Sequence, residues 1–222
     1  MIVLVTTCER PGSSYLPRLL TSIEQSGWSG PCFIVSDGPT SIATSFPVFA
    51  SRKRQGQMRT YWRAMQIGAE QARRLGHDRV VILEDDVELC RNALTYMDTV
   101  TLPPVDFVTW FDGHVIPEGA RPGIYRVPAE RFFCLQAVTW TPAALEILLA
   151  SPRAVEWRPL HEGDVLIAQI LSGRRYGVHI PNLAQHMGSV SLCNPGEDLS
   201  GVRTANNYPG QHFNALRLVP AW

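Results

Sequence analysis

The stretch Val80-Val81-Ile82-Leu83-Glu84-Asp85-Asp86-Val87 joins four apolar residues to three successive carboxylates. A short apolar run is typical of a strand that is buried in a parallel sheet. Ligand sites in open α/β sheets lie at the carboxyl ends of such strands, which is where the carboxylates stand here. Side chains alternate along a strand, so we expect Glu84 and Asp86 to share one side and Asp85 to point away.

Three neighbouring carboxylates repel one another unless a cation lies between them. Mn²⁺ or Mg²⁺ is the natural partner, because hard divalent cations prefer oxygen ligands. Mg²⁺ is usually held by one or two carboxylates together with substrate phosphates, so the segment predicts a diphosphate substrate. A solvated acidic turn after a strand is the alternative interpretation.

The chain on both sides of this stretch alternates between strand and helix patterns. Apolar runs predict strands over residues 2–5, 32–35, 79–83, 106–111, 133–140 and 176–180. Helical spacing predicts helices over residues 16–23, 58–72, 141–149 and 164–171, and a stretch rich in Gly and Pro predicts irregular chain over residues 113–128. We therefore expect one Rossmann-like α/β domain, with a mostly parallel central sheet flanked by helices.

The composition is that of a globular chain without a dominant charge. The 222 residues carry 20 Lys+Arg against 20 Asp+Glu, and 45% of them are hydrophobic. Zero net charge excludes a protein that binds nucleic acid or an anionic membrane over its whole surface, but it leaves a local basic patch open. The 5 cysteines include no C-x-x-C pair, which argues against a structural zinc site. With no signal-peptide pattern and no apolar run of about 18 residues, we expect a soluble protein without a membrane span, in the cytoplasm of a bacterium or a phage-infected host.

Three short motifs at the predicted strand ends resemble those of GT-A-fold glycosyltransferases. They are Thr6-Thr7-Cys8-Glu9-Arg10, Ser36-Asp37-Gly38 and Leu83-Glu84-Asp85-Asp86-Val87. In that fold the acidic signature is D-x-D, and many members carry E-D-D. The resemblance implies a nucleotide-sugar donor, most often a UDP-sugar, whose diphosphate is bridged to Asp86 by Mn²⁺ or Mg²⁺. It also implies the donor-binding residues: Glu84 and Asp85 against the ribose and sugar, and Thr6, Thr7, Arg10 and Asp37 at the nucleoside.

The distal half carries two further motifs that belong to the same resemblance. Residues 181–188 end in Q-H-x-G, which is similar to the N-acetylglucosaminyltransferase IV group and implies that His186 is a metal ligand; a structural histidine is the alternative. The segment His161-Glu162-Gly163-Asp164 is an imperfect match to an acidic motif that opens a helix in inverting members. It implies Asp164 as the catalytic base, with Glu162 in reserve. An Asp at a helix start is equally an N-cap, which stabilises a helix by ~1 kcal/mol.

A basic segment precedes the acidic stretch. It contains no acidic residue and holds Arg52, Lys53, Arg54, Arg59 and Arg63. Three interpretations stay open: a solvated surface, diphosphate binding by Arg59 and Arg63, and contact with nucleic acid. The third bears on the acceptor, because some phage glycosyltransferases modify hydroxymethylated bases in DNA. We expect the acceptor to be either a saccharide or protein glycan or such a base.

The expected function is transfer of a sugar to an acceptor hydroxyl with inversion, and retention stays open. Residues 1–112 would form the nucleotide-sugar-binding half, residues 113–190 the acceptor and catalytic half, and residues 191–222 a C-terminal loop or lid. A sugar-1-phosphate nucleotidyltransferase is disfavoured, because the segment after the first strand has one glycine instead of a Gly-rich phosphate loop. The sequence also leaves open a metal-dependent phosphohydrolase and a non-catalytic nucleotide-sugar-binding module. The oligomeric state is left undetermined.

Overall fold

The computed structural model describes residues 1–9, 15–41, 43–112, 115–117, 119–155, 163–188, 205 and 207–218. Its strands are β1 (Ile2–Thr7), β2 (Cys32–Ser36), β3 (Val48–Ala50), β4 (Val80–Glu84), β5 (Val87–Leu89), β6 (Phe107–Thr109), β7 (Gly123–Pro128), β8 (Ala137–Trp140), β9 (Arg175–Ile180) and β10 (Ala184–His186). Its helices are α1 (Leu16–Gln25), α2 (Gln57–Leu75), α3 (Ala93–Thr99), α4 (Pro142–Ala150), α5 (Pro152–Val155) and α6 (Gly163–Ile170). Among these residues, no helix combines the length and the apolar character that crossing a lipid bilayer requires.

One large sheet has the strand order β3-β2-β1-β4-β8-β6-β9-β7. The first four strands in this order are parallel, β8 is antiparallel to both its neighbours, and β7 pairs antiparallel with β9 at the edge. After β3 the chain returns to the far side of β1, which is the strand order of a Rossmann-like half. The predicted α/β class, with one central sheet flanked by helices, is confirmed, and the sheet is mixed.

β1 and β4 are buried on both faces because helices cover the sheet from both sides. On one face Leu4 and Ile82 share a hydrophobic cluster with Met65 of α2. On the other face Val5 shares a cluster with Leu19 of α1. Alternate residues of each strand therefore face α2 or α1, and each helix turns the apolar side of its 3.6-residue period toward the sheet.

Two helix boundaries follow directly from the residue types at them. Gly76 follows α2 with φ 71°, a left-handed conformation that favours glycine at a helix C-terminus. Thr141 precedes α4, and its side chain accepts a hydrogen bond from the Ala144 N–H at 3.2 Å. Pro142 is the first helical residue, where its missing N–H costs nothing.

The second half of the sheet differs from the sequence-based expectation. β7 lies in the stretch predicted to be irregular; it is an edge strand with mostly half-exposed residues and a proline at its end, which only an edge tolerates. The strand predicted over residues 133–140 begins at Ala137, because Cys134 has φ 80° and cannot continue an extended chain. β3, β5, β10 and α3 are short elements that the sequence analysis does not predict.

His179 on β9 is buried among aromatic side chains. Its Nδ1 lies 2.7 Å from the Pro181 carbonyl oxygen, and its Nε2 lies 3.1 Å from the Tyr96 hydroxyl. A carbonyl oxygen only accepts, so Nδ1 carries the proton and Nε2 accepts from Tyr96. The ring of Trp110 lies 4.9 Å away between centroids. Burial lowers the pKa of His179 from 6.5 to about 4.

We expect the protein to lose stability on acidification between pH 6.5 and pH 4, the window between these two pKa values. In that window His179 binds a proton in the unfolded chain but not in the folded protein. Its contribution to the free energy of unfolding is therefore complete above the unfolded pKa and falls by about 3 kcal/mol as the pH drops through the window. Urea unfolding at pH steps from 8 to 4 measures the slope. His179→Gln does not titrate, so its free energy of unfolding should change less over this window, and an unchanged slope would contradict the assignment.

Candidate functional site

The predicted site residues of β1 and β4 meet at the carboxyl ends of these neighbouring strands. In the parallel register Thr6 pairs with Glu84. The Thr7 hydroxyl donates to Asp85 Oδ2 at 2.6 Å, and the Thr6 hydroxyl donates to the Leu83 carbonyl at 3.3 Å. Glu84 and Asp85 are 6% and 3% exposed, so both residues are buried at the carboxyl end of the sheet.

Asp37 and the start of α2 form the next side of the site. The carboxylate of Asp37 accepts hydrogen bonds from the Gln55 and Gly56 N–H groups at 2.6 and 3.0 Å. Asp37 therefore fixes the chain where α2 begins, a structural role in addition to the predicted nucleoside contact. The first residue of α2, Gln57, donates from its side-chain amide to Glu84 Oε1. Gln57 is a site residue that the sequence analysis does not identify, because no local pattern shows which strand α2 starts against.

Asp86 and His186 are brought together although 100 residues separate them. The chain turns after β4, and β5 pairs antiparallel with β10 in a two-stranded ribbon that sets His186 opposite Val87. His186 Nε2 lies 3.3 Å from Asp86 Oδ2, and the Met187 N–H donates to the Asp86 carbonyl oxygen at 2.7 Å. The two predicted metal-site residues thus form a contact pair.

The turn at Asp85 and Asp86 corrects one sequence-based expectation. Glu84 and Asp86 do not act on one common side: Glu84 bonds to Gln57 of α2, whereas Asp86 contacts His186 of the ribbon. The ribbon packs into the hydrophobic cluster that contains α1, on the opposite face of the sheet from α2. Strand alternation fails here because β4 ends at Glu84.

The Asp86–His186 pair suits a divalent cation that also binds a ligand. Among the described residues, no group of three or more His, Cys, Asp and Glu side chains could hold a metal ion alone. A carboxylate and an imidazole would leave room for substrate oxygens, and an imidazole favours Mn²⁺ over Mg²⁺, which prefers oxygen. Gly188 keeps the space over the pair open: a Cβ there would lie 2.7 Å from Asp86 Oδ2 and 2.9 Å from His186 Nε2.

Asp164 joins α6 to the loop before β8. Its Oδ2 accepts from the Cys134 N–H at 3.0 Å, and its Oδ1 accepts from the Val165 N–H at 2.9 Å. Asp164 lies in the first turn of α6. The first of these bonds ties Cys134, which has the left-handed φ of 80°, to the start of α6. The role of Asp164 as a base stays a prediction, and Glu162 lies outside the described residues.

The basic residues lie around the start of α2 with different exposures. Arg63 is half-buried and donates to the Ser51 hydroxyl at 3.2 Å, whereas Arg59 is exposed. Arg54 donates to the Glu9 carbonyl oxygen and so connects the loop before α2 with the segment after β1. Arg10, the remaining predicted donor-binding residue, lies outside the described residues.

Comparisons with known proteins find likeness of structure alone. No protein-family model and no curated protein matches the chain. A glycosyltransferase involved in the glycosylation of the major capsid of PBCV-1 is 14% identical, with 86% of this chain and 95% of that chain covered and a TM-score of 0.44. The nucleoside-diphosphate-sugar pyrophosphorylase of Vibrio cholerae RC9 is 13% identical (84% and 95% covered, TM-score 0.45).

An active-site mutant of LgtC is 13% identical, with 81% of this chain and 72% of that chain covered and a TM-score of 0.46. Likeness at these identities and TM-scores carries no functional argument, and the resemblance to the N-acetylglucosaminyltransferase IV group stays a prediction.

We expect Gly188→Ala to weaken Mn²⁺ binding about 10- to 100-fold, the range found when groups that support metal ligands are changed. The added methyl group would occupy the space over Asp86 and His186. Calorimetric titration of Mn²⁺ in the presence of UDP measures the affinity.

Gly177→Ala is the matched control, because its Cβ would lie 2.6 Å from Ile124 Cγ2 in β7, in the distal half of the sheet. That variant should lose stability through overpacking and keep its Mn²⁺ affinity. Equal Mn²⁺ affinity of Gly188→Ala and the unchanged protein would show that the pair is not a metal site of this geometry.

Proposed function

We propose that this protein is a metal-dependent glycosyltransferase that moves a sugar from a nucleoside-diphosphate sugar to an acceptor hydroxyl. The observation that carries the proposal is the Asp86–His186 pair, with 3.3 Å between Oδ2 and Nε2, beside the buried carboxylates of Glu84 and Asp85. A Rossmann-like strand order binds its ligands at this end of the sheet, where the order reverses beside β1.

The donor would lie across the ends of β1, β2 and β4. Asp86 and His186 would hold Mn²⁺ or Mg²⁺, and the bound cation would offset the negative charge of the departing nucleoside diphosphate. The hydroxyl oxygens of Thr6 and Thr7 keep lone pairs that can accept hydrogen bonds from the nucleoside. Asp37 would position the nucleoside beside them, and a UDP-sugar is the donor that the resemblance favours.

The sugar and the phosphates would contact different side chains. Glu84 and Asp85 accept hydrogen bonds, so they suit the hydroxyl groups of ribose and sugar. Arg59 and Arg63 would contact the diphosphate, because a guanidinium group binds two phosphate oxygens at once. Arg10 would contact the nucleoside, as the resemblance implies.

Asp164 would act as the base for an inverting transfer. The acceptor hydroxyl loses its proton to the carboxylate and attacks the anomeric carbon, while the bond from that carbon to the diphosphate oxygen breaks. Each oxygen of Asp164 accepts one backbone hydrogen bond, which leaves further lone pairs for the acceptor. Glu162 is the reserve base.

We expect Asp86→Asn to lower donor turnover at least about 100-fold at a fixed Mn²⁺ concentration, because the loss of a metal carboxylate forfeits several kcal/mol of charge stabilisation. Removing the metal with EDTA should have the same effect. The measurement is release of nucleoside diphosphate from a panel of nucleotide-sugars. Asp78→Asn, whose side chain is 84% exposed before β4, is the matched control and should keep the full rate. Full turnover by Asp86→Asn would refute the proposal.

The released product separates the proposed transfer from three further activities. Nucleoside diphosphate indicates transfer, pyrophosphate indicates a nucleotidyltransferase, and inorganic phosphate indicates a phosphohydrolase. Donor binding without turnover under Mn²⁺ or Mg²⁺ would identify a non-catalytic module.

The same panel should be run with glycan acceptors and with hydroxymethylated DNA. Arg52 and Lys53 are exposed, so they are accessible to the phosphates of a DNA acceptor. For a DNA acceptor, replacing both residues with Ala should weaken DNA binding and reduce its salt dependence by about two phosphate contacts. For a glycan acceptor, the double variant should keep the full rate.

A further inference from the structure

Gln136 stands beside Glu84 at the ligand end of the sheet. It directly precedes β8, and its carbonyl oxygen accepts the Glu84 N–H at 2.9 Å. The antiparallel register pairs Leu83 with Ala137, which sets Gln136 opposite Glu84. Residues directly opposite in antiparallel strands share a face, about 4.5–5.5 Å apart between Cβ atoms. Gln136 therefore lies on the α2 face of the sheet together with Glu84.

The side chain of Gln136 holds an acceptor atom that no described residue uses. Gln136 is 2% exposed, and its Oε1 is buried without a hydrogen-bond partner among the described residues. Leaving a buried acceptor unsatisfied costs about 1–3 kcal/mol, and the large majority of buried polar side-chain atoms avoid that cost. The same oxygen at the mouth of a ligand site is satisfied as soon as a ligand donates to it.

We infer that Gln136 Oε1 accepts a hydrogen bond from a hydroxyl group of the donor's sugar, and that Glu84 and Gln136 together form the sugar-binding part of the site. This inference rests on the proposed function and names a residue that neither the motifs nor the resemblance identifies. Two neighbouring acceptors, one of them a carboxylate, select a neutral ligand group that donates hydrogen bonds. A phosphate group would be repelled there by the carboxylate of Glu84.

The proposed cation site lies apart from the proposed sugar-binding residues. Asp86 and His186 belong to a turn and a ribbon that pack with the α1 face, whereas Glu84 and Gln136 lie on the α2 face. Gln57 of α2 already donates to Glu84, which holds its carboxylate for the sugar. The proposed cation site and the proposed hydroxyl-binding residues therefore lie toward different faces of the sheet.

The test compares a donor with its sugar-free counterpart. Gln136→Leu removes the polar atoms at nearly constant volume, and Gln136→Met is a second variant of similar length. The probes are UDP-glucose, UDP-galactose and UDP-N-acetylglucosamine, with UDP as the sugar-free ligand, each titrated calorimetrically with Mn²⁺. We expect both variants to bind the preferred UDP-sugar about tenfold more weakly than the unchanged protein and to bind UDP with unchanged affinity. Donors that each lack one sugar hydroxyl group then identify the group that Gln136 binds. The donor that lacks this group should bind to the Gln136 variants as tightly as the complete donor does.

Melting temperature separates the ligand role from a structural one. Replacing an unsatisfied polar group by an apolar one of the same shape is neutral or stabilising, so the variants should melt no lower than the unchanged protein. Gln66→Leu, at an exposed position of α2, is the matched control for the chemical change.

Two results would overturn the inference. An unchanged ratio of UDP-sugar to UDP affinity in the Gln136 variants would overturn it alone and leave the proposed function intact. Absence of binding by the unchanged protein to UDP, to UDP-sugars and to every other member of the nucleotide-sugar panel would overturn it together with the proposed function.

Discussion

The parallel pairing of β1 with β4 is the interaction on which the rest of the site depends. Both strands are buried on both faces, so their backbone groups must bond to neighbouring strands. The register places Thr6 beside Glu84 and lets the Thr7 hydroxyl reach Asp85. A slip of one residue would exchange the faces of β4 and would bury Glu84 against α1 instead of α2. Core packing therefore fixes the orientation of the carboxylates before any ligand binds.

A second constraint comes from parts of the chain that are distant in sequence. The ribbon of β5 and β10 positions His186, and both its strands are held from outside. Glu88 of β5 accepts from Arg18 of α1 at 2.6 Å and from Tyr208 at 3.5 Å, while the Gln185 side chain accepts from the Ala205 N–H at 2.9 Å. Of the predicted C-terminal loop or lid, the structure describes residues 205 and 207–218, and these contacts show part of it supporting the ribbon.

Elements that bury their own apolar face could be predicted from the sequence, and elements that depend on a partner could not. The spacing of Met58, Met65 and Ala69 and the apolar run of β4 predict α2 and its neighbouring strand. β5 and β10 have three residues each and exist because they pair with each other. Asp86 and His186 could be named from motifs, but Gln136 is visible only through the register with β4. Gly188 leaves space over Asp86 and His186 because it has no side chain, and no sequence pattern indicates this space.

The structure changes the electrostatic argument that the acidic triplet first suggests. Three successive carboxylates suggest one cation shared among them, yet each has its own partner: Gln57 for Glu84, Thr7 for Asp85 and His186 for Asp86. The turn after β4 separates the three, and the partners of Glu84 and Asp85 donate hydrogen bonds from α2 and β1. Asp86 lies next to His186, whose imidazole is a side chain that commonly binds metal ions. In the proposal, the cation therefore binds Asp86 and the substrate phosphates, and the carboxylates of Glu84 and Asp85 accept hydrogen bonds from the hydroxyl groups of the ligand.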